Sequence, residues 1–126
     1  MAWTAPRAAN VGDVFTAAWY NGEIRDNLLF LRLLKGRIRG SDGVVLAGAG
    51  FTAARNSVGD YTITFSPAFA NIPVVLVTVA QTGAGSPLFA LTYAATAASV
   101  GINVFTNAGA ASDPVGFHFL ATDPSL

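Results

Sequence analysis

The sequence predicts a mainly β protein: an N-terminal arm and one α-helix, followed by an antiparallel β-sandwich of about six strands. Three observations lead to this expectation. From Val44 onward apolar residues alternate with period two, in short runs separated by Gly, Pro, Asn and Asp. Residues 1–15 show no period and are punctuated by Pro6 and Gly12. Between these regions, "YNGEIRDNLLFLRLLKGRI", residues 20–38, gathers Leu28, Leu29, Phe30, Leu31, Leu33 and Leu34 around a single Arg32.

Residues 1–15 read as an extended arm, either disordered or laid onto a partner. The partner reading is favoured by Trp3, because an indole is poorly left in water. Trp3, Pro6, Val11 and Phe15 are its candidate attachment residues. No basic head followed by an apolar core is present here, so a secretory leader is not expected.

Residues 16–39 form the expected oligomerisation helix. The Thr16 hydroxyl suits an N-cap, the helix runs to about Lys35, and Gly36 is its stop. Gly22 weakens it by about 1 kcal/mol relative to Ala, and Asn21-Gly22 is alternatively a turn. Tyr20, Ile24, Asn27, Leu31, Leu34 and Ile38 follow the alternating four- and three-residue spacing of a coiled-coil seam. Asn27 would be a polar layer that sets register. The competing reading is an amphipathic helix packed on its own β domain, since Leu28, Phe30 and Leu33 widen the stripe. The apolar run is much shorter than the roughly 20 residues of a membrane span, and Arg25, Asp26, Arg32 and Lys35 flank or interrupt it. No membrane insertion is expected.

Residues 40–126 form the sandwich domain. "VVLAGAGFTAAR" and "LFALTYAAT" each read as one strand. Tyr61, Ile63 and Phe65 share one face of "GDYTITFSP". Val75, Val77 and Val79 share one face of the Val74–Val79 strand, with Val74, Leu76 and Thr78 on the other. Val100, Ile102 and Val104, then Val115, Phe117, Phe119 and Ala121, mark the last two strands. Apolar on both faces, Val74–Val79 should be central or covered by another subunit.

Seven basic and seven acidic residues cancel, and no cysteine is present. Beyond Arg55 no cation remains, so a nucleic-acid partner is not expected. The basic group Arg32, Lys35, Arg37 and Arg39 reads as a solvated helix end. With 52% apolar residues and little charge, much of the surface is best explained if copies of the chain cover it.

Catalytic chemistry has little to build on. His118 is the only histidine, points away from the face of Phe117 and Phe119, and has no local acidic or nucleophilic partner. No spacing of His, Asp or Glu suggests a metal site. "GAGSP" and "GAGF" lack the Lys of a phosphate loop, and Glu23 is the only glutamate. Asp42 and Asp60 sit in turn contexts. Neither an enzyme nor a cofactor is expected.

The stretch Trp3 to Leu31 resembles the N-terminal segment of tailed-bacteriophage fibre and virion-surface proteins. Its matching residues are Trp3, Pro6, Gly12, Thr16, Ala17, Ala18, Asn21, Arg25, Asp26, Asn27, Leu28, Phe30 and Leu31. The later strands are similar in layout to the H-type lectin sandwich, with a Phe65-x-x-x-Phe69 lead and a Pro73-Val74-Val75 strand. The resemblance implies a homotrimeric virion protein displayed on the particle surface, a short fibre, spike or capsid decoration, held to other virion proteins through its arm. The alternative is a lectin-like module that reads host surface glycans through Tyr61, Tyr93 and His118. Phe119 stands where the lectin family has Trp, so that family's sugar site does not carry over.

Overall fold

A computed structural model describes residues 16–19, 32–82 and 87–124 of the 126-residue chain. Among the described residues helix α1 spans Ala17–Trp19. The other described residues form a sandwich of eight antiparallel strands. β1 (Leu33–Arg39), β2 (Val45–Gly48), β5 (Val74–Ala80) and β8 (Gly116–Thr122) form one sheet in the order β2-β1-β8-β5. β3 (Phe51–Ser57), β4 (Asp60–Phe65), β6 (Leu88–Tyr93) and β7 (Ser99–Thr106) form the other in the order β3-β4-β7-β6.

The two additional strands have distinct causes. "VVLAGAGFTAAR" is two strands, because the chain changes sheets at Ala49-Gly50. Gly48 and Gly50 hold φ of 107° and 87°, a region costly to any residue with a Cβ. The other addition corrects the helix expectation: Leu33–Arg39 is a strand. Leu34 and Ile38 point into the core and Lys35, Arg37 and Arg39 point out. A spacing of four places two residues on one face of a helix and equally on one face of a strand. Gly36 explains which won. It breaks helices, and here it opposes Gly48 and leaves room for the Phe51 and Phe119 rings, which meet edge to face at 4.8 Å. Residues 33–39 therefore belong to the sandwich, not to an oligomerisation helix, and Leu34 and Ile38 are core residues rather than seam residues. Tyr20, Ile24, Asn27 and Leu31 lie outside the described residues, as do Trp3, Pro6, Val11 and Phe15.

Between the sheets pack Ile38, Tyr61, Ile63, Phe65, Val100, Ile102, Val104, Phe117, Phe119 and Ala121. Burying a side chain of Val, Ile or Phe size contributes roughly 1.5–3 kcal/mol. Phe65 and Phe69 meet edge to face at 5.0 Å. The Arg32 guanidinium caps this pair 4.5 Å from the Phe69 ring and donates to the carbonyls of Gly50 and Pro67. Arg32 thus closes one end of the core rather than ending a helix. The β4–β5 connection holds a cis Ser66–Pro67 bond, whereas Ile72–Pro73 is trans. β5 is an edge strand, not a central one, and its outer face is exposed.

Candidate functional site

The outer face of the β2-β1-β8-β5 sheet is built from side chains that strand alternation leaves outside the core. The register aligns Leu76 with Leu120 and Leu120 with Lys35, and in the next outward row Thr78 with His118 and His118 with Arg37. Leu76 is 63% exposed and Leu120 44% exposed. These rows line an open trough of about 570 Å³, which Ala47 and Gly48 of β2 bound on the far side. The trough is apolar towards β5 and cationic towards β1. Among the described residues no carboxylate pairs with Lys35 or Arg37. Arg39 differs, for its Nε donates to Asp42 Oδ1 at 2.9 Å. This hydrogen bond, aided by the Val44 N–H, holds the Asp42 carboxyl at about 2.

The outer face of the other sheet mirrors this layout. Phe89, Leu91 and Tyr93 line the edge strand β6, and Phe89 stacks on Phe105 of β7 at 6.0 Å. Leu91 aligns with Asn103, and Asn103 with Asp60 of β4. The Tyr93 ring lies over Gly101 and its hydroxyl donates to Asp60. That bond raises the Tyr93 pKa above the usual tyrosine value. Asn56 donates to the Thr62 hydroxyl at 2.8 Å alongside.

A third cluster lies at one end of the sandwich. The Arg55 guanidinium donates to both carboxylate oxygens of Asp113, at 2.8 Å from Nη2 to Oδ2 and 3.2 Å from Nε to Oδ1. The Gly59 N–H donates to Asp113 Oδ1 at 2.8 Å. The Tyr61 hydroxyl lies 2.7 Å from the Gly40 carbonyl and 2.8 Å from Asp113 Oδ1. Arg55 and these donors hold the Asp113 carboxyl below its ordinary pKa. Burial, with Asp113 beside it, pushes the Tyr61 phenol up. These hydrogen bonds fasten the β3–β4 turn, the β1–β2 turn and the β7–β8 connection together.

The three glycan-contact candidates are not brought together. Tyr61 is fully buried and its ring packs on Phe117, which removes it as a contact residue. Tyr93 and His118 lie on the outer faces of opposite sheets. Among the described residues no group of three His, Asp or Glu side chains is placed to hold a metal ion, and no helix is long and apolar enough to cross a membrane. The basic group Lys35, Arg37 and Arg39 reads as a helix end but is instead the outward row of strand β1, while the Asp60–Tyr93 pair was not read from the sequence. The first is visible in retrospect as alternation in "LKGRIR", whereas the second depends on β4 and β6 flanking β7, a long-range arrangement without a local signal.

Known proteins give no match. No protein-family model fits the chain, and neither a curated protein nor a solved structure is significantly similar to it.

Proposed function

We propose that this chain is a non-enzymatic structural protein of a bacteriophage virion, a homotrimeric short fibre, spike or capsid decoration displayed on the particle surface. One observation carries the self-association: a sandwich with a filled core still leaves apolar side chains exposed on the outer faces of both its sheets. Val74, Leu76 and Leu120 lie on one, and Phe89 and Leu91 on the other. Contiguous exposed apolar surface of this kind marks contact sites. The virion assignment rests on the resemblance of Trp3 to Leu31 to phage fibre and virion-surface segments, and the arm, residues 1–15, is the proposed attachment to other virion proteins.

The test has three arms. Light scattering behind a sizing column is expected to give a mass near three times 13.0 kDa, and a clean monomer overturns the trimer. An antibody against the sandwich is expected to label intact particles, and particles that stay unlabelled overturn surface display. Removing residues 1–15 is expected to abolish attachment while the trimer stays soluble.

A second reading, a carbohydrate-binding module, draws on the partly exposed Tyr93 ring beside Asp60, Asn56 and Thr62. An aromatic ring with nearby hydrogen-bonding groups suits a neutral sugar. A glycan array without reproducible hits excludes it.

A further inference from the structure

The two outer faces share one plan. On the first sheet an apolar row occupies the edge strand β5, β8 comes next, and the cations Lys35 and Arg37 stand on the third strand, β1. On the second sheet an apolar row occupies the edge strand β6, β7 comes next, and the anion Asp60 stands on the third strand, β4. Strands in a sheet are spaced about 4.8 Å apart, so in both faces the charge stands roughly 10 Å from the apolar row. The signs are opposite. β5 and β6 also lie beside each other along one edge of the sandwich, so the two apolar rows run on either side of that edge.

We infer that the β5-β8-β1 face of one copy packs on the β6-β7-β4 face of a second copy, with Phe89 and Leu91 seated in the trough beside Leu76 and Leu120 and Asp60 opposite Lys35. This inference rests on the proposed self-association and supplies its geometry. The occupant is a second copy because charge and apolar pattern match across the two faces of this one chain. A like-on-like contact that superposed β1 on β1 would instead set Lys35 and Arg37 against their own counterparts, and such like-charge juxtaposition is costly. The contact joins two different surfaces, so it is heterologous; such a contact gives a closed ring only where its rotation closes and otherwise propagates as an open stack. An exposed aromatic entering an apolar trough, with a charge pair alongside, has the anatomy of an interface anchor. The contact also covers Tyr93, so it and a glycan site on that ring exclude one another.

Cysteine placement tests the arrangement, because the chain has no cysteine of its own. Three full-length variants are compared under mild oxidation: Leu76→Cys, Leu91→Cys and the double variant. Circular dichroism checks that each folds, and light scattering gives the mass. The expected result is an associated protein in which only the double variant forms disulfide-linked dimers and trimers. An associated protein whose single variants cross-link, or whose double variant does not, overturns this geometry and leaves the trimer standing. A monomeric parent overturns both. A charge exchange gives an independent readout. Lys35→Glu is expected to weaken association roughly tenfold or more, and adding Asp60→Lys to restore most of it. Failure of the second change to restore association, in a folded variant, refutes the Lys35–Asp60 pairing.

Discussion

Replacing Tyr61 by Phe isolates the role of one hydroxyl at the end of the sandwich. The ring is fully buried and packs 4.9 Å from Phe117, and Phe preserves that packing. What disappears is the hydroxyl 2.7 Å from the Gly40 carbonyl and 2.8 Å from Asp113 Oδ1. Asp113 keeps the Arg55 guanidinium and the Gly59 N–H, so it is not orphaned. Gly40 is buried, and its carbonyl loses the phenol as hydrogen-bond donor. A net hydrogen bond contributes about 1 kcal/mol, and stranding a buried acceptor costs about 1–3 kcal/mol, so Tyr61→Phe should destabilise by about 1–3 kcal/mol. For a domain of this size that corresponds to a fall in Tm of roughly 4–20 °C. Urea unfolding is the assay, with a lower midpoint at unchanged slope as the expected signature. A loss below about 0.5 kcal/mol would show that the hydroxyl fastens nothing. A loss above about 4 kcal/mol would show that the ring itself repacks, which also refutes the reasoning.

Gly36→Ala would put a Cβ 2.4 Å from the Phe51 ring and 2.5 Å from Phe119. Overpacking of this kind costs about 1–3 kcal/mol, read as a lower urea midpoint, and an unchanged midpoint would show that the rings move aside freely. Phe117→Ala should cost about 3–5 kcal/mol, because Phe117 is fully buried at the centre of the first sheet; a loss under 2 kcal/mol would mean that the core collapses into the gap. Asp113 titrates below its ordinary range in the folded chain, so its contribution is present above the unfolded value of about 3.9 and fades as pH falls through the lower folded value. Stability of the parent should therefore decline below about pH 4, while the gap between the parent and Asp113→Asn narrows over the same range. A gap that stays constant from pH 7 to pH 2 contradicts the linkage.

Alternation made the sandwich legible. Tyr61, Ile63 and Phe65, and likewise Val100, Ile102 and Val104, stand on the faces that their period-two spacing assigns, and all are buried. Val115 departs from this rule: it shares parity with Phe117 but precedes the strand and is half exposed, because the chain has not yet entered the sheet. The error over residues 33–39 arose because Leu34 and Ile38 satisfy helix and strand periods together. The outward Lys35, Arg37 and Arg39 carried the deciding alternation. The candidate site was legible only in part. Apolar residues on both faces of Val74–Val79 signalled a surface in need of cover, but pairings such as Asp60 with Tyr93 depend on strand order, which local pattern does not encode.

The pairing of β1 with β8 has a consequence for direction. Leu33, the first residue of β1, is the register partner of Thr122, the last of β8, so the chain enters and leaves the sandwich at one pole. The turns around Gly40, Gly59 and Asp113, tied together by Tyr61 and Arg55, form the opposite pole. Leu33 therefore stands at one pole of the sandwich, and the fastened turns stand at the other. The sandwich is a polar building block, with both chain ends of the fold at one pole and a cluster of fastened turns at the other.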